Sequence, residues 1–244
     1  MRIAVPKGRL QDRVLALFAE AGYDVPTEVE LRSRKLVFRR DGVEWIFVKD
    51  CDVPVYVEHG AADAGIAGLD QILEHEVTAY QPVELPFGRC RLMVIGAPGA
   101  PRLTDDANAK VATKYPRITR RYLESRGVRA EVVPLGGSVE LAAVLNLTSH
   151  VVDLVETGET VRIHRLELQD LVAEISPRLI VGRSIYRTEP ARMRELIARV
   201  EAAALVIPSV ARKLGAWAAH ESQPSAPPGP PDPSLTLGMT PEEE

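Results

Sequence analysis

Short apolar runs alternate with amphipathic stretches along the first part of the chain, which is the pattern of strands and helices in α/β proteins. Ile3-Ala4-Val5 is an apolar run that stops at Pro6, and it predicts a buried strand. The run "LVFRRDGVEWIFV" predicts a hairpin, because Asp41-Gly42 suits a tight turn between two β-rich segments. Between them, apolar residues recur at helical spacing and end at Gly22, which predicts a first helix: Leu10, Val14, Leu17, Phe18 and Ala21.

The alternation continues after the hairpin and restarts after Gly96. "DVPVYVEHG" predicts a short helix, "ADAGIAGLD" predicts a strand over residues 64–67, and "YQPVELPFG" and "CRLMVIGA" are strand-like. Later segments predict strands in "KVATKYP", "AEVVPL" and "VVDLV", a basic amphipathic helix over residues 117–126, and a helix in "GGSVELAAVL". A long helical stretch from Pro190 is expected to break near Pro208.

Because the alternation of strands and helices stops and begins again along the chain, we predict two α/β domains with a cleft between them. We place a discontinuous first domain at 1–88 plus 176–218 and a second domain at 89–175. Residues 219–244 are rich in proline and lack apolar periodicity, which predicts a disordered tail.

Composition narrows the function classes. Of 244 residues, 45% are hydrophobic and the formal net charge is −4, so bulk charge gives no general affinity for nucleic acid or membranes. Aromatic residues make up only 5%, which argues against stacking platforms for single-stranded nucleic acid. The N-terminal apolar run is too short for a signal peptide. Cys51 and Cys90 are therefore expected to be reduced thiols in a cytoplasmic protein.

The stretch "DLVETGET" is the first candidate for chemistry. Thr157, Gly158 and Thr160 follow an apolar strand and offer hydroxyls and backbone N–H groups that suit a phosphate. The carboxylates of Asp153 and Glu156 suit sugar hydroxyls, or a magnesium ion that brings phosphates with it. Together these groups describe a site for a phosphorylated ribose. An ordinary strand–turn–helix junction with a threonine cap is the alternative.

Basic residues near the amino end form a second candidate. Lys7 and Arg9 flank a glycine in the loop after the first strand, where α/β sheets face ligands. "RSRKL" and Lys49 add cations to a chain that is acidic overall. This contrast suggests a pocket for a small polyphosphate rather than nonspecific binding of anions. Solvated surface charge is the alternative for each of them. The five histidines lack metal-site spacing, and no Walker lysine motif occurs.

Seven stretches together resemble the ATP phosphoribosyltransferase family, over residues 1 to about 205. They are "PKGRL", "SRKLVF", "DVPVYVEHGAADAGIAGLD", "PFGRCRL", "VATKYPRIT", "GGSVEL" and "VVDLVETGETVR". The resemblance implies a two-domain α/β fold of the periplasmic-binding-protein-like type II, with the active site in the cleft. It also implies transfer of the phosphoribosyl group of phosphoribosyl pyrophosphate (PRPP) to N1 of ATP, with Mg²⁺. Longer members of the family have a C-terminal histidine-sensing domain where this sequence has a Pro-rich stretch, so the chain is expected to be the short catalytic form. The resemblance implies for that form a hetero-oligomer with a regulatory partner that resembles histidyl-tRNA synthetase.

The resemblance also implies roles for individual residues. Thr157 to Thr160 would hold the ribose 5-phosphate, with Asp153 on the ribose hydroxyls and Glu156 beside them. Lys7, Gly8 and Arg9 would meet the phosphates of ATP, and Arg34 and Lys49, with Lys7, would stabilise the leaving pyrophosphate. Asp70 and Glu140 are expected to contact the nucleotide, and Glu159 is expected to contact the sugar phosphate. No protein-only metal site is expected.

Two segments depart from the family pattern. Residues 146–150 read "NLTSH" where the family usually has glycine-leucine-alanine-aspartate, so an acid is missing there. After the phosphate turn, "TVRIHRL" replaces a stretch that usually contains asparagine-glycine, and a longer helix is expected in its place.

Three other functions fit parts of the sequence. A solute-binding module of the same fold would need no chemistry, but such proteins are typically exported. An ordinary purine or pyrimidine phosphoribosyltransferase places two adjacent acids before its phosphate loop, whereas Asp153 and Glu156 are three apart. A degenerate regulatory subunit that binds nucleotide without turnover is the third alternative, and the intact Lys7, Arg9 and Thr160 argue mildly against it.

Overall fold

The computed structural model describes residues 1–33, 35–106 and 108–221. Met1–Pro208 form one compact unit, which contains both β-sheets, and a second unit starts at Ser209. The strands are β1 (Arg2–Pro6), β2 (Val37–Arg40), β3 (Val43–Val48), β4 (Ala64–Gly68), β5 (Tyr80–Glu84), β6 (Cys90–Gly96), β7 (Lys110–Thr113), β8 (Glu131–Pro134), β9 (His150–Val155), β10 (Glu167–Ile175) and β11 (Pro177–Val181). The α-helices are α1 (Gln11–Glu20), α2 (Glu28–Leu31), α3 (Val53–Glu58), α4 (Leu69–His75), α5 (Pro116–Arg126), α6 (Glu140–Val144), α7 (Glu159–Ile163), α8 (Arg183–Thr188) and α9 (Pro190–Glu221).

The first sheet has the strand order β2-β3-β1-β4-β11-β5. β1 runs parallel to both β3 and β4, and β11 returns antiparallel between β4 and β5. Its core is built around Phe18 of α1 and Trp45 of β3, whose rings meet edge to face at 5.1 Å. The Trp45 Nε1–H donates to the Asp24 carbonyl at 3.0 Å, so the indole is buried without an unpaired donor.

The second sheet has the order β10-β6-β9-β7-β8, with α5 and α6 packed on its opposite faces. β7 and β9 are parallel neighbours in the register Thr113↔Val152, so both strands end at one edge of the sheet. The fully buried Thr113 hydroxyl donates to the Val152 carbonyl at 2.8 Å and accepts from the Tyr115 N–H at 2.9 Å. One side chain therefore fixes both strand ends.

Helix α4, which follows the first sheet's β4, is joined to α5 of the second sheet. The Glu74 carboxylate accepts hydrogen bonds from the backbone N–H groups of Arg117 and Ile118, at 3.0 and 3.1 Å respectively. These are N–H groups of the first turn of α5, which lack partners within the helix. A carboxylate at a helix N-terminus is also favoured by the helix dipole, so Glu74 both caps α5 and links the two layers.

Most predicted elements are confirmed, and the exceptions have local causes. The hairpin turns at Asp41 and Gly42, both with positive φ, as predicted. The nine-residue β10 was not predicted, because two irregularities in its pairing with β6 interrupt the alternation of inward and outward residues. Helix α4 was not predicted either. The longer helix expected after the phosphate turn is wrong: α7 has five residues, and Arg165 beyond it has a φ of 56°.

The predicted break of the long C-terminal helix near Pro208 is wrong. Helix α9 runs through Pro208 without a gap to Glu221, although the boundary between the two compact units falls at this proline. Its first part adds Met193, Leu196 and Val200 to the core of the first sheet. Apart from its first three residues, which belong to α9, the predicted tail at 219–244 lies outside the described residues.

Replacing Thr113 with valine should lower the free energy of unfolding by about 1–3 kcal/mol. Valine keeps the shape of the side chain but removes the hydroxyl that bonds the Val152 carbonyl, the Tyr115 N–H and the Thr119 hydroxyl. Chemical denaturation of both proteins measures the difference. Thr104→Val is the matched control, because Thr104 is exposed and bonds only to its neighbour Asp105. An equal effect of both substitutions would contradict the role of Thr113.

Candidate active site

A cavity of about 340 Å³ lies where the loop after β1 meets the turn after β9. The first sheet and its loops contribute Lys7, Arg9, Asp50 and Asp70 to its wall, and the second contributes Cys90 and Glu156. A larger cavity of about 430 Å³, lined by Arg2, Asp63 and Arg183 among others, contains none of the residues predicted from the sequence. Convergence of charged groups from two sheets, rather than size, identifies the smaller cavity as the candidate site.

Arg9 and Glu156 make the direct contact between the two loops. Arg9 Nη1 lies 3.5 Å from Glu156 Oε2, and their side chains are 80% and 52% exposed. An ion pair so exposed contributes about 0–1 kcal/mol, so it does little to hold the site together. The contact nevertheless shows that the basic loop and the residue before the "TGET" turn lie next to each other.

The turn at 156–160 presents hydroxyl and backbone groups to solvent. Gly158 precedes α7 with a φ of 77°, a conformation that favours glycine. The Thr157 hydroxyl accepts the Glu159 N–H at 3.4 Å. Within the described chain, the exposed side chains of Glu159 and Thr160 make no hydrogen bond or ion pair. Their polar atoms are available to a ligand.

Asp153 lies just before this turn, in a partly buried position. Its Oδ1 accepts the Leu154 N–H at 2.8 Å. Burial raises the pKa of the Asp153 carboxyl, and Glu140 at the start of α6 raises it further. The Leu154 N–H, Lys114 and Arg9 act in the opposite direction. Asp153 is therefore surrounded by charges of both signs, and its ionised form is unfavourable in this environment.

The first-sheet residues are placed as follows. The Lys7 N–H donates to the Val48 carbonyl at 2.8 Å while the Lys7 side chain faces the cavity, and Gly8 adopts a φ of 99°. Asp70, in the first turn of α4, is only 6% exposed and accepts from Gln71 Nε2 at 2.7 Å. Lys49 is exposed and is absent from the cavity wall. Arg34 lies outside the described residues.

Two unassigned residues of "VATKYP", Lys114 and Tyr115, lie near the acids of the site although neither is part of the cavity wall. They directly follow β7, whose register with β9 sets them beside Asp153. Burial, and then the Asp70 carboxylate, raise the pKa of the Tyr115 hydroxyl. The parallel pairing of β7 with β9 could not be derived from the sequence, so nothing connected these residues with Asp153. A third unassigned residue, Arg13, lines the cavity wall.

Cys90 is the one thiol in the cavity wall. Burial, followed by the charge of Asp70, raises its pKa to about 11. A thiol with this pKa stays protonated near neutral pH and is a poor nucleophile.

Among the described residues, no three His, Cys, Asp or Glu side chains are grouped so that they could hold a metal ion. No helix in the described part of the chain is long and apolar enough to cross a membrane.

Two α/β sheets with a charged cavity between their strand ends define a periplasmic-binding-protein-like type II fold with a site for anionic ligands. The family model HisG, "ATP phosphoribosyltransferase", matches residues 49–202. An ATP phosphoribosyltransferase of Geobacter metallireducens is 41% identical over 206 residues, covering 82% of this chain and 97% of its own. One from Sorangium cellulosum is 44% identical over 210 residues, covering 83% and 95%. The chain belongs to the ATP phosphoribosyltransferase family.

Solved structures agree with this assignment. The ATP phosphoribosyl transferase (HisG:HisZ) complex from Thermotoga maritima contains a chain that matches with a TM-score of 0.74 and 30% identity, covering 84% of this chain and 98% of that one. Tv2483 bound to L-arginine matches with a TM-score of 0.54 at 9% identity over 86% of this chain. The second similarity concerns the fold alone.

Replacing Asp153 with asparagine should raise the free energy of unfolding at neutral pH. The carboxyl has a higher pKa in the folded protein than in the unfolded chain, so its ionisation destabilises the fold. Below the unfolded-state pKa both states are protonated and the substitution should bring no gain. The gain should grow as the pH rises through the interval between the two pKa values, and stay constant above it.

Denaturation of wild type and variant across the acidic to neutral range measures this dependence. Asp41→Asn in the exposed hairpin turn is the control, because asparagine tolerates the same positive φ. A stability gain that does not change with pH would show that the charge of Asp153 is not its cause.

Proposed function

We propose that this chain transfers the 5-phosphoribosyl group of PRPP to N1 of ATP and releases pyrophosphate, the first step of histidine biosynthesis. The observation that supports this most directly is the contact of Arg9 in the basic loop with Glu156, the residue before the "TGET" turn, in the wall of one cavity. Residues 157–160 follow Glu156 directly but are not part of that wall. A reaction between two phosphorylated substrates needs an anion site on each side of a shared space. Membership of the family supplies the identity of the substrates.

In this proposal the turn after β9 binds the sugar phosphate. Thr157, Gly158, Glu159 and Thr160 would surround the 5-phosphate with N–H and hydroxyl donors. Asp153 would accept hydrogen bonds from the ribose hydroxyls, for which its partly buried position is suited. Glu156 and Glu159 would contribute mainly through their backbone.

The loop after β1 would bind the nucleotide. Lys7 and Arg9 face the cavity and would contact phosphates, and Gly8 would let the backbone approach them closely. Asp70 and Glu140 would contact the nucleotide from opposite sheets. Lys49 and Arg34 would stabilise the departing pyrophosphate, although Lys49 would have to move to reach it.

The chemistry requires positioning more than activation. Adenine N1 has a lone pair, so it forms the new bond to the anomeric carbon as the bond from that carbon to the pyrophosphate oxygen breaks, and no proton is removed. Holding two substrates in line makes the step effectively unimolecular. Fixed cations stabilise the negative charge that accumulates on the leaving group. The protonated Cys90 thiol plays no nucleophilic part in this scheme.

Magnesium completes the proposal as the ion that accompanies pyrophosphate and partly neutralises it. Mg²⁺ keeps several waters and binds through one or two carboxylates together with substrate phosphates. The acids that face the cavity, Asp50 and Asp70, fit that limited contribution. The other residues of this chain would orient the phosphates around the ion.

We also propose the assembly and location. The Thermotoga maritima structure is a HisG:HisZ complex, and a similar hetero-oligomer with a regulatory subunit resembling histidyl-tRNA synthetase is the proposed state here. Cys51 and Cys90 are free, as expected in the cytoplasm. The division into domains at 1–88 plus 176–218 and 89–175 stays a proposal, consistent with the membership of the two sheets.

The direct test mixes the purified chain with ATP, PRPP and Mg²⁺ and follows the absorbance of the N1-substituted adenine. Omitting PRPP provides the blank. Formation of one pyrophosphate per nucleotide product supports the proposal. Saturable binding of ATP or PRPP without any product, with and without the partner, would favour a binding protein of the same fold.

Lys7→Ala and Thr160→Val should each lower kcat/KM by about 10- to 150-fold. Each removes a hydrogen bond to a charged phosphate, worth about 1.5–3 kcal/mol. Lys110→Ala and Thr104→Val are the matched controls, because both residues are exposed and belong to neither the loop after β1 nor the turn after β9. Rates like those of wild type in both site variants would remove these residues from the proposed site.

Adding the regulatory subunit should increase turnover, because a short catalytic chain would reach its most active arrangement only in the complex. A titration of the partner at fixed catalytic chain, with initial rates as the readout, measures the effect. A chain that is equally active alone would contradict the short-form assignment.

A further inference from the structure

Arg13 is a cation of the cavity wall to which neither a sequence motif nor the family resemblance assigns a role. It lies in the first turn of α1 and lines the same cavity as Lys7 and Arg9. Its side chain is exposed, and no carboxylate of the described residues forms an ion pair or hydrogen bond with it. Arg9, by contrast, already contacts Glu156.

The local electrostatics of Arg13 are unfavourable in the absence of an anion. The first turn of a helix has a positive potential, so a cation there is disfavoured. Helix α1 has no side-chain cap, and Asp12 is the sole acid of its first turn. Lys7 and Arg9 add two further cations to the same wall. A bound polyanion would offset this repulsion.

The position of Arg13 distinguishes between the two proposed substrates. It belongs to the first-sheet wall, next to the basic loop proposed for ATP, whereas Glu156, the residue before the turn proposed for PRPP, belongs to the second-sheet wall. An exposed arginine suits the outer part of a ligand rather than its buried end. A guanidinium can make two parallel N–H···O bonds to one phosphate, which a lysine cannot reproduce.

We propose that Arg13 binds the terminal phosphates of ATP and thereby sets the preference of this site for ATP over AMP. This inference rests on the proposed function for the identity of the nucleotide. Arg13 would contribute to binding before the transfer step and would take no part in bond making. Its loss should therefore appear in the affinity for ATP and much less in kcat.

The test compares Arg13→Met with wild type and with the control Arg187→Met, an exposed arginine of α8 that is absent from the cavity wall. The dissociation constants of ATP and AMP are measured by calorimetry, and KM is measured for ATP and PRPP. In Arg13→Met, the dissociation constant and KM for ATP should rise about tenfold, as for one lost charge-assisted contact. The AMP and PRPP values should stay within about twofold of wild type, with Arg13→Lys intermediate for ATP.

Each other outcome overturns the inference. Equal losses for ATP and AMP would place Arg13 near the nucleoside or make its role structural, and a rise confined to PRPP would place it on the other substrate. Unchanged ATP binding would leave Arg13 as a surface charge. If wild type binds ATP more tightly than AMP but forms no product, the proposed function fails while the calorimetry still decides the role of Arg13.

Discussion

Parallel strand pairing in two separate sheets determines where the basic loop after β1 and the turn after β9 lie. β1 runs between two parallel neighbours, and β9 runs parallel to β7, so each strand delivers its following loop to the carboxyl edge of its sheet. The loop after β1 contributes Lys7 and Arg9, and the turn after β9 contributes Glu156. Their contact shows that the two edges open onto one space. Neither loop could reach this space if its strand were reversed.

Because the two sheet edges converge, several charged side chains line one cavity. Asp50, Asp70 and Glu156 line it together with Lys7 and Arg9, and burial raises the pKa of the neighbouring Asp153. A core of apolar residues in the same place would be more stable. Such destabilised arrangements are typical of sites that bind charged ligands, because the ligand supplies the missing interactions. Here a polyphosphate with its magnesium ion would bring charges of both signs.

The sequence allowed the fold class, most elements and both charged loops to be predicted, since these depend on local periodicity and turn residues. The hairpin at Asp41-Gly42 is an example in which two residues determine the backbone. Features that depend on pairing across the chain were not predictable. Lys114 and Tyr115 are neighbours of Asp153 only because β7 pairs with β9, and β10 loses its alternation where its pairing with β6 is irregular. Similarly, the role of Glu74 as a cap for α5 joins residues more than forty positions apart.

The fold by itself does not select the chemistry. A structure bound to L-arginine shares this fold at 9% identity, so two sheets around a cavity suit very different ligands. What differs between such proteins is the set of groups at the strand ends. Gly158 with its positive φ, followed by Glu159 and Thr160 whose exposed side chains make no hydrogen bond within the described chain, provides donors without a nucleophile. Because burial raises the pKa of Cys90, the thiol of the cavity wall, to about 11, the described cavity favours holding and orienting anions over attack by a thiolate. That is the requirement of a reaction in which a ring nitrogen already has its lone pair and the leaving group has the charge.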